Sequence, residues 1–200
     1  NFDLLSRLAR IHDSIGLDMF AGGKKSEAEE ILKKSLEYTE KLKTNHPDRA
    51  ETYLLLAVST GNLARFKSGK DKIRIGGAVE GYCQKAIELN PKLGRPYSIL
   101  ATYYWEISKL SWILKAFARS FLGKLPEKSR DDALQLYRTS LDNNPNQIYG
   151  QYKMADLLIA MNRKDEAKNH LKMALKLKAL STGDQRVQKD AKALLKKIGG

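Results

Sequence analysis

The sequence predicts an all-α chain of stacked helical hairpins, and three observations carry that expectation. Ala155, Ala167, Leu171 and Ala174 are separated by 12, 4 and 3 residues, a spacing that puts small side chains where two antiparallel helices cross closely. Pro47, Pro91 and Pro145 each follow an apolar-periodic run, where the missing N–H and the ring stop a helix. Alternation of apolar and polar residues with period two is absent, so no sheet is expected.

The elements follow in order. A first helix from about Phe2 to Phe20 ends at the break Ala21-Gly22-Gly23, and its partner carries Ala28, Leu32 and Ser35. The second hairpin has Tyr53, Leu56 and Ala57 on one helix and closes on Cys83, Ala86 and Pro91. Ala57 and Val79 are 22 residues apart where 12 are needed, which implies an insert of about ten. The third hairpin has Leu100, Ala101 and Tyr104, then Ala133, Tyr137 and Pro145. The 32 residues from Ala101 to Ala133 imply about twenty inserted, much of it in one elongated helix over 97–122. The fourth hairpin pairs Met154, Ala155 and Leu158 with the Ala167 set across a turn at Asn162-Arg163-Lys164-Asp165. A last helix, Asp184 to Ile198, has Val187, Ala191, Leu194, Leu195 and Ile198 on one face and lysines on the other. Ser181-Thr182-Gly183-Asp184 offers capping oxygens at its start. It reads as a cap over the last repeat.

The spacings are those of the tetratricopeptide pattern. The expected fold is therefore a tetratricopeptide-like right-handed superhelix of about four hairpins plus a C-terminal capping helix. It reads as one domain over 1–200, with hairpins at 2–46, 48–90, 95–144 and 147–179 and the cap at 184–198.

Composition narrows the function classes. The 200 residues are 42% hydrophobic, enough for a core, and carry a net charge of +13 with pI near 9.7. Such a field attracts acidic partners. No apolar run reaches the 18 residues of a membrane span, and the run from Ile107 to Leu122 is broken by Lys109, Lys115 and Arg119. The single cysteine, Cys83, excludes an internal disulfide and reads as a buried thiol in a reducing compartment. His12, His46 and His170 lie far apart, and no phosphate loop, dinucleotide fingerprint or nucleophile elbow is present. The reading is a non-enzyme with no cofactor and no metal. Basic patches without interleaved aromatics disfavour nucleic acid. The opening at Asn1 without a leader suggests a trimmed or processed N-terminus. The expected address is the cytoplasm, with any membrane contact made by a segment upstream.

The stretch LLLAVSTGNLARFKSGKDKIRIGGAVEGYCQKAIELNPKLGRPYSILATYYWEISKLSW, followed by LGKLPEKSRDDALQLYRTSLDNNP, resembles the regulator of microtubule dynamics family. The specific part is Leu110-Ser111-Trp112 and the spacing between the two inserts. The likeness runs over roughly residues 50 to 198 and is weaker in the first fifty. Where family members commonly have a Leu-Gly-Arg-Trp-like run, this chain has Leu100-Ala101-Thr102-Tyr103. The resemblance implies microtubule association and, for some members, an N-terminal anchor to an organelle membrane. A bacterial repeat protein sharing only the scaffold is an alternative.

Two groups of residues are candidates for binding. At 100° per residue Tyr103, Ile107, Leu110, Leu114, Phe117 and Phe121 form one core stripe of the elongated helix. Trp105 and Trp112 lie nearly opposite, flanked by Lys109, Lys115 and Arg119. They either anchor a partner in the groove or are buried under an inserted segment. The aromatic density from Tyr97 to Phe121 also fits a tunnel for a lipid or other hydrophobic small molecule. The second group is Arg65, Lys67, Lys70, Lys72 and Arg74, opposed locally by Asp71 alone. This reads as a loop made permissive by Gly69, Gly76 and Gly77 and suited to tubulin or another acidic surface. Residues 163–197 add eleven basic and four acidic side chains.

Overall fold

The computed structural model describes residues 1–110, 119 and 127–199, apart from the side chain of Lys70. The described residues form helices and no strand. In chain order these are α1 (Phe2–Ala21), α2 (Lys25–Asn45), α3 (Ala50–Leu63), a 3-10 turn (Ala64–Phe66), α4 (Gly69–Leu89), α5 (Gly94–Ser108), α6 (Arg130–Asn143), α7 (Ile148–Ala160), α8 (Lys164–Lys176) and α9 (Thr182–Lys197). They gather into two compact units, one holding α1 to α4 and the other α5 to α9.

In the first unit α1 pairs with α2 and α3 with α4, and α2 packs on α3. In the second, α5 pairs with α6 and α7 with α8, and α9 lies against α8 and α7. Each pair is built on one rule. The second helix turns three residues inward at spacings of four and three: Ala28, Leu32 and Ser35; Val79, Cys83 and Ala86; Ala133, Tyr137 and Ser140; Ala167, Leu171 and Ala174. All twelve are buried. Opposite them the first helix presents Gly16, Ala57, Ala101 or Ala155, each buried in its own pair.

Gly16 is the position the sequence hides. It precedes Ala28 by the same twelve residues that separate Ala155 from Ala167. A Cβ on Gly16 would stand 2.6 Å from Leu32 Cγ and 2.8 Å from Leu32 Cδ2, so α1 and α2 touch where nothing larger than hydrogen fits.

Two pairs add the same hydrogen bond. Ser35 Oγ donates to the Ala9 carbonyl at 2.9 Å and Ser140 Oγ to the Gly94 carbonyl at 2.8 Å. Each acceptor lies seven residues before the close-contact residue of its own first helix. Ser35 Oγ also lies 2.8 Å from Ser59 Oγ, which donates to Asp13 Oδ2 at 3.0 Å, while Asn62 Nδ2 reaches Asp13 Oδ1 at 3.1 Å. These polar groups sit where α1, α2 and α3 meet. A buried carboxylate is tolerated there because it is hydrogen-bonded.

Tyr137 fills the place held elsewhere by Leu32, Cys83 and Leu171. Its ring is fully buried and its hydroxyl lies 2.8 Å from Thr102 Oγ1. Thr102 already donates its single hydroxyl hydrogen to the Ser98 carbonyl at 2.8 Å, so Tyr137 is the donor of the pair. Burial pushes its phenol pKa well above the usual range.

The ends of the elements follow local chemistry. Gly23, at φ 84°, turns the chain after α1 in the left-handed region open to glycine. Asn162 does the same after α7 at φ 61°. Ser129 and Asp132 form a reciprocal capping box at the start of α6. Ser181 caps α9 through the Asp184 N–H, as the sequence implies.

Two expectations are corrected. The helix expected over 97–122 closes as α5 at Ser108. There the Lys109 N–H turns back to the Glu106 carbonyl at 3.3 Å and Ser108 Oγ bonds the Trp105 carbonyl at 2.8 Å. Apolar periodicity continues past this point, but backbone hydrogen bonding sets the end of the helix. Of the expected stripe, Tyr103 and Ile107 lie on α5 and Leu110 in the bend after it; Leu114, Phe117 and Phe121 lie outside the described residues. The stretch around Gly69, Gly76 and Gly77 is also helix: it opens α4, which reaches 21 residues. Asp71 in its first turn favours the positive end of the helix dipole and pairs with Arg74 at 3.1 Å.

The glycines separate packing from propensity. A Cβ on Gly94 would stand 2.6 Å from the Ser140 carbonyl oxygen and 2.8 Å from Gln147 Nε2, so Gly94→Ala should cost about 1–3 kcal/mol. Gly77 lies inside α4 with nothing within 4 Å of an added Cβ, so Gly77→Ala should gain on the order of 1 kcal/mol. Denaturant unfolding of the two variants checks the opposite signs.

Candidate functional site

Trp105 is 5% exposed, packed into its own unit although it lies opposite the apolar stripe. Its indole Nε1 finds no hydrogen-bond partner among the described residues. Lys109 Nζ stands 4.4 Å from the ring centroid and the Arg130 guanidinium 5.4 Å from it. Both are within cation–π range. Lys109 also binds Glu106 at 2.6 Å, and Arg130 donates to the Ala160 carbonyl at 3.2 Å. Arg130 opens α6, so the ring is clasped by cations from the two helices of one pair. Arg119 is helical and exposed, while Trp112 and Lys115 lie outside the described residues.

The second candidate group divides. The Arg65 guanidinium lies 5.8 Å from the Phe20 ring centroid, and Phe20 meets Phe66 edge-on at 5.3 Å. Lys67 Nζ binds Glu29 Oε1 at 3.0 Å, holding the Glu29 carboxyl below its ordinary range. Arg74 pairs with Asp71. Lys72 is exposed on α4, and the Lys70 side chain is outside the description. Arg65 and Lys67 therefore face side chains of their own unit, and of the described members Lys72 is the exposed cation of the first turn of α4.

The groups that could do chemistry are placed otherwise. Cys83 is fully buried between α3 and α4, and desolvation, reinforced by Glu80, pushes its thiol up to about 12. His170 Nδ1 lies 2.7 Å from Gln151 Oε1, while Gln151 Nε2 donates to the Pro145 carbonyl at 2.9 Å. Gln151 is thus an acceptor toward the ring, and His170 Nδ1 carries the proton. Burial lowers the pKa of His170 below 6.5, with Arg138 acting in the same sense and Glu166 against it. Among the described residues no three metal-ligating side chains come together, and no helix is long and apolar enough to cross a membrane. Two shallow clefts are lined by no residue from Tyr97 to Lys109. One is on α2 at Lys33, Leu36, Glu37, Glu40 and Lys41, and the other is between α8 and α9.

Helices paired through small inward residues, with polar outer faces, define a helical-repeat protein of the tetratricopeptide type. The fold of a solved thermophilic tetratricopeptide-repeat protein of Thermus thermophilus agrees. It matches at TM-score 0.57 and 14% identity over 92% of this chain and 99% of that one. The family model described as Regulator of microtubule dynamics protein 1-3 matches residues 1–199, so the chain belongs to that family. The match takes in the first fifty residues, where the sequence resemblance is weaker.

Similar relatives include regulator of microtubule dynamics protein 3 of Mus musculus, 27% identical over 201 residues, covering 96% of this chain and 40% of that protein. Protein 2 of Bos taurus is 28% identical over 149 residues, covering 74% of this chain and 36% of that protein. The chain thus spans well under half the length of these relatives.

Two measurements probe these placements. Cys83 should resist thiol reagents at neutral pH until the protein is unfolded; labelling faster than unfolding would contradict its burial. For His170 the unfolded chain binds the proton more readily, so its contribution to stability is present above about pH 6.5 and is lost as pH falls below that value. A ring titration by NMR with a midpoint below 6.5, and a weaker acid dependence in His170→Gln, are the expected outcomes.

Proposed function

We propose that the chain is a non-catalytic scaffold that associates with microtubules by binding a protein partner. The observation that carries this reading is the family match over residues 1–199, whose relatives are named as regulators of microtubule dynamics. The stacked pairs support it: each first helix keeps a half-exposed face for contact, as α7 does with Tyr149, Tyr152, Lys153 and Asp156. The net charge of +13 favours acidic surfaces such as those of tubulin.

Within this reading Lys72 is exposed on α4 beside Arg74, whose side chain is 78% exposed and shares its charge with Asp71. Lys109, paired with Glu106, and Arg119 are exposed in the segment that follows Trp105. Trp105 acts by positioning Lys109 rather than by touching a partner.

Co-sedimentation with stabilised microtubules tests the proposal. The protein should pellet at low ionic strength and be released as salt rises, because exposed charges are screened beyond a Debye length of about 8 Å at physiological salt. A Lys72→Glu, Arg74→Glu variant that keeps its helical spectrum should pellet severalfold less. Pelleting that ignores salt rejects the electrostatic part, and absence of pelleting at low salt rejects the association.

A further inference from the structure

The last two helices carry a feature that the groove reading does not use. α8 and α9 leave a shallow cleft lined by Leu175, Lys189, Lys192, Ala193, Leu195 and Lys196. Its lining is three aliphatic side chains and three lysines. Lys189, Lys192 and Lys196 follow one another at spacings of three and four, so they project from a single face of α9. All three are exposed.

Elsewhere in the second unit several basic side chains have acidic neighbours: Lys109 has Glu106, Lys153 has Asp156, Arg163 has Glu166 and Lys168 has Asp165. Neither carboxylate of α9, Asp184 or Asp190, lines the cleft. Asp184 Oδ2 accepts the Leu180 N–H at 3.0 Å. Stacked like charges weaken a helix. At Lys196 the negative end of the helix dipole offsets this cost. That end is too far to offset it at Lys192 and Lys189, one and two turns earlier. An anion from outside would.

We propose that the α8–α9 cleft is a docking site for an acidic protein segment: an extended peptide rich in glutamate or aspartate, with an apolar side chain seated on Leu175 and Leu195. Charge complementarity selects this occupant. A bilayer is disfavoured because the two leucines of the cleft are half-buried and its three lysines exposed. No leucine of the lining therefore leads the way into lipid. The inference rests on the protein-binding reading and names a surface for it, distinct from the first turn of α4.

The test uses the whole 200-residue chain and a fluorescein-labelled synthetic peptide of alternating glutamates around one phenylalanine, read by anisotropy. The peptide should bind, with affinity falling as salt rises. Lys189→Gln, Lys192→Gln and Lys196→Gln together should weaken it about tenfold, three exposed charge pairs' worth, and the three arginine replacements should restore it. Leu195→Ala should weaken the phenylalanine peptide more than an all-glutamate one. Equal affinity in the glutamine variant overturns the proposal. So does the absence of peptide binding in a protein that instead floats with phosphatidylserine vesicles. Peptide binding without microtubule co-sedimentation leaves this site standing and removes the microtubule role; co-sedimentation unchanged in the glutamine variant, with no peptide binding, does the reverse.

Discussion

The close crossing of paired helices is the constraint on which the other features depend. A helix pair reaches its shortest separation only where one member offers no side-chain bulk, and Gly16, Ala57, Ala101 and Ala155 are those points. With the crossing fixed, the residues at the three inward positions of the second helix are confined to what fits. Leu32, Cys83, Tyr137 and Leu171 occupy one position with very different shapes, and their neighbours have adjusted to each. Tyr137 brings a hydroxyl that has to be satisfied, and Thr102 is the partner in reach. Ser35 and Ser140 exploit the closeness itself, because a serine hydroxyl spans from the second helix to a carbonyl of the first only when the two backbones nearly touch. A carbonyl already serving its own helix keeps a second lone pair for this bond.

This constraint also decides what can be read from the sequence. The fourth pair is legible because its spacing is uninterrupted and its residues are alanine and leucine. Gly16 obeys the same spacing yet escapes notice, since a glycine inside a helix looks like a weak point and not a contact. The α4 extension is hidden for a related reason. Gly69, Gly76 and Gly77 suggest a loop, but the helix dipole, the Asp71–Arg74 pair and the packing of the following turns suffice to hold those residues helical. The end of α5 misleads in the opposite direction. Apolar periodicity continues past Ser108, and periodicity reports which face is buried, not whether the backbone bonds continue.

The candidate sites are legible as composition and less so as geometry. Basic residues from Arg65 to Arg74 are visible in the sequence, but the partner of Lys67 lies 38 positions away on another helix, beyond the reach of any local pattern. The position of Trp105 opposite the stripe follows from helical geometry, while its burial on that side, with Lys109 and Arg130 against the ring, does not. A helix at the junction of paired elements is covered on more than one face, so its polar side cannot be equated with solvent. Read from sequence, the lysines of α9 belong to the ordinary outer face of an amphipathic helix. What distinguishes Lys189, Lys192 and Lys196 is that the described residues lining the cleft include no carboxylate, a property of the α8–α9 packing and not of either helix alone.

Function in such a protein rests on how charge is apportioned between internal and external use. Arginines and lysines at the joints of each unit, such as Lys67 against Glu29 and Arg130 over Trp105, fix one helix relative to another and leave little of their field free. A cation held by a carboxylate 3.0 Å away contributes a dipole to a distant partner, not a full charge, and dipole fields fall off faster with distance. The formal charge of the chain therefore overstates what an approaching partner experiences near α3 and understates the contrast with α9. The repeat architecture makes this division workable. Each pair closes its own core through inward small residues, so the outer face of the last helix is free of structural duty. Charges there can be arranged for an external anion with little consequence for how the helices nest.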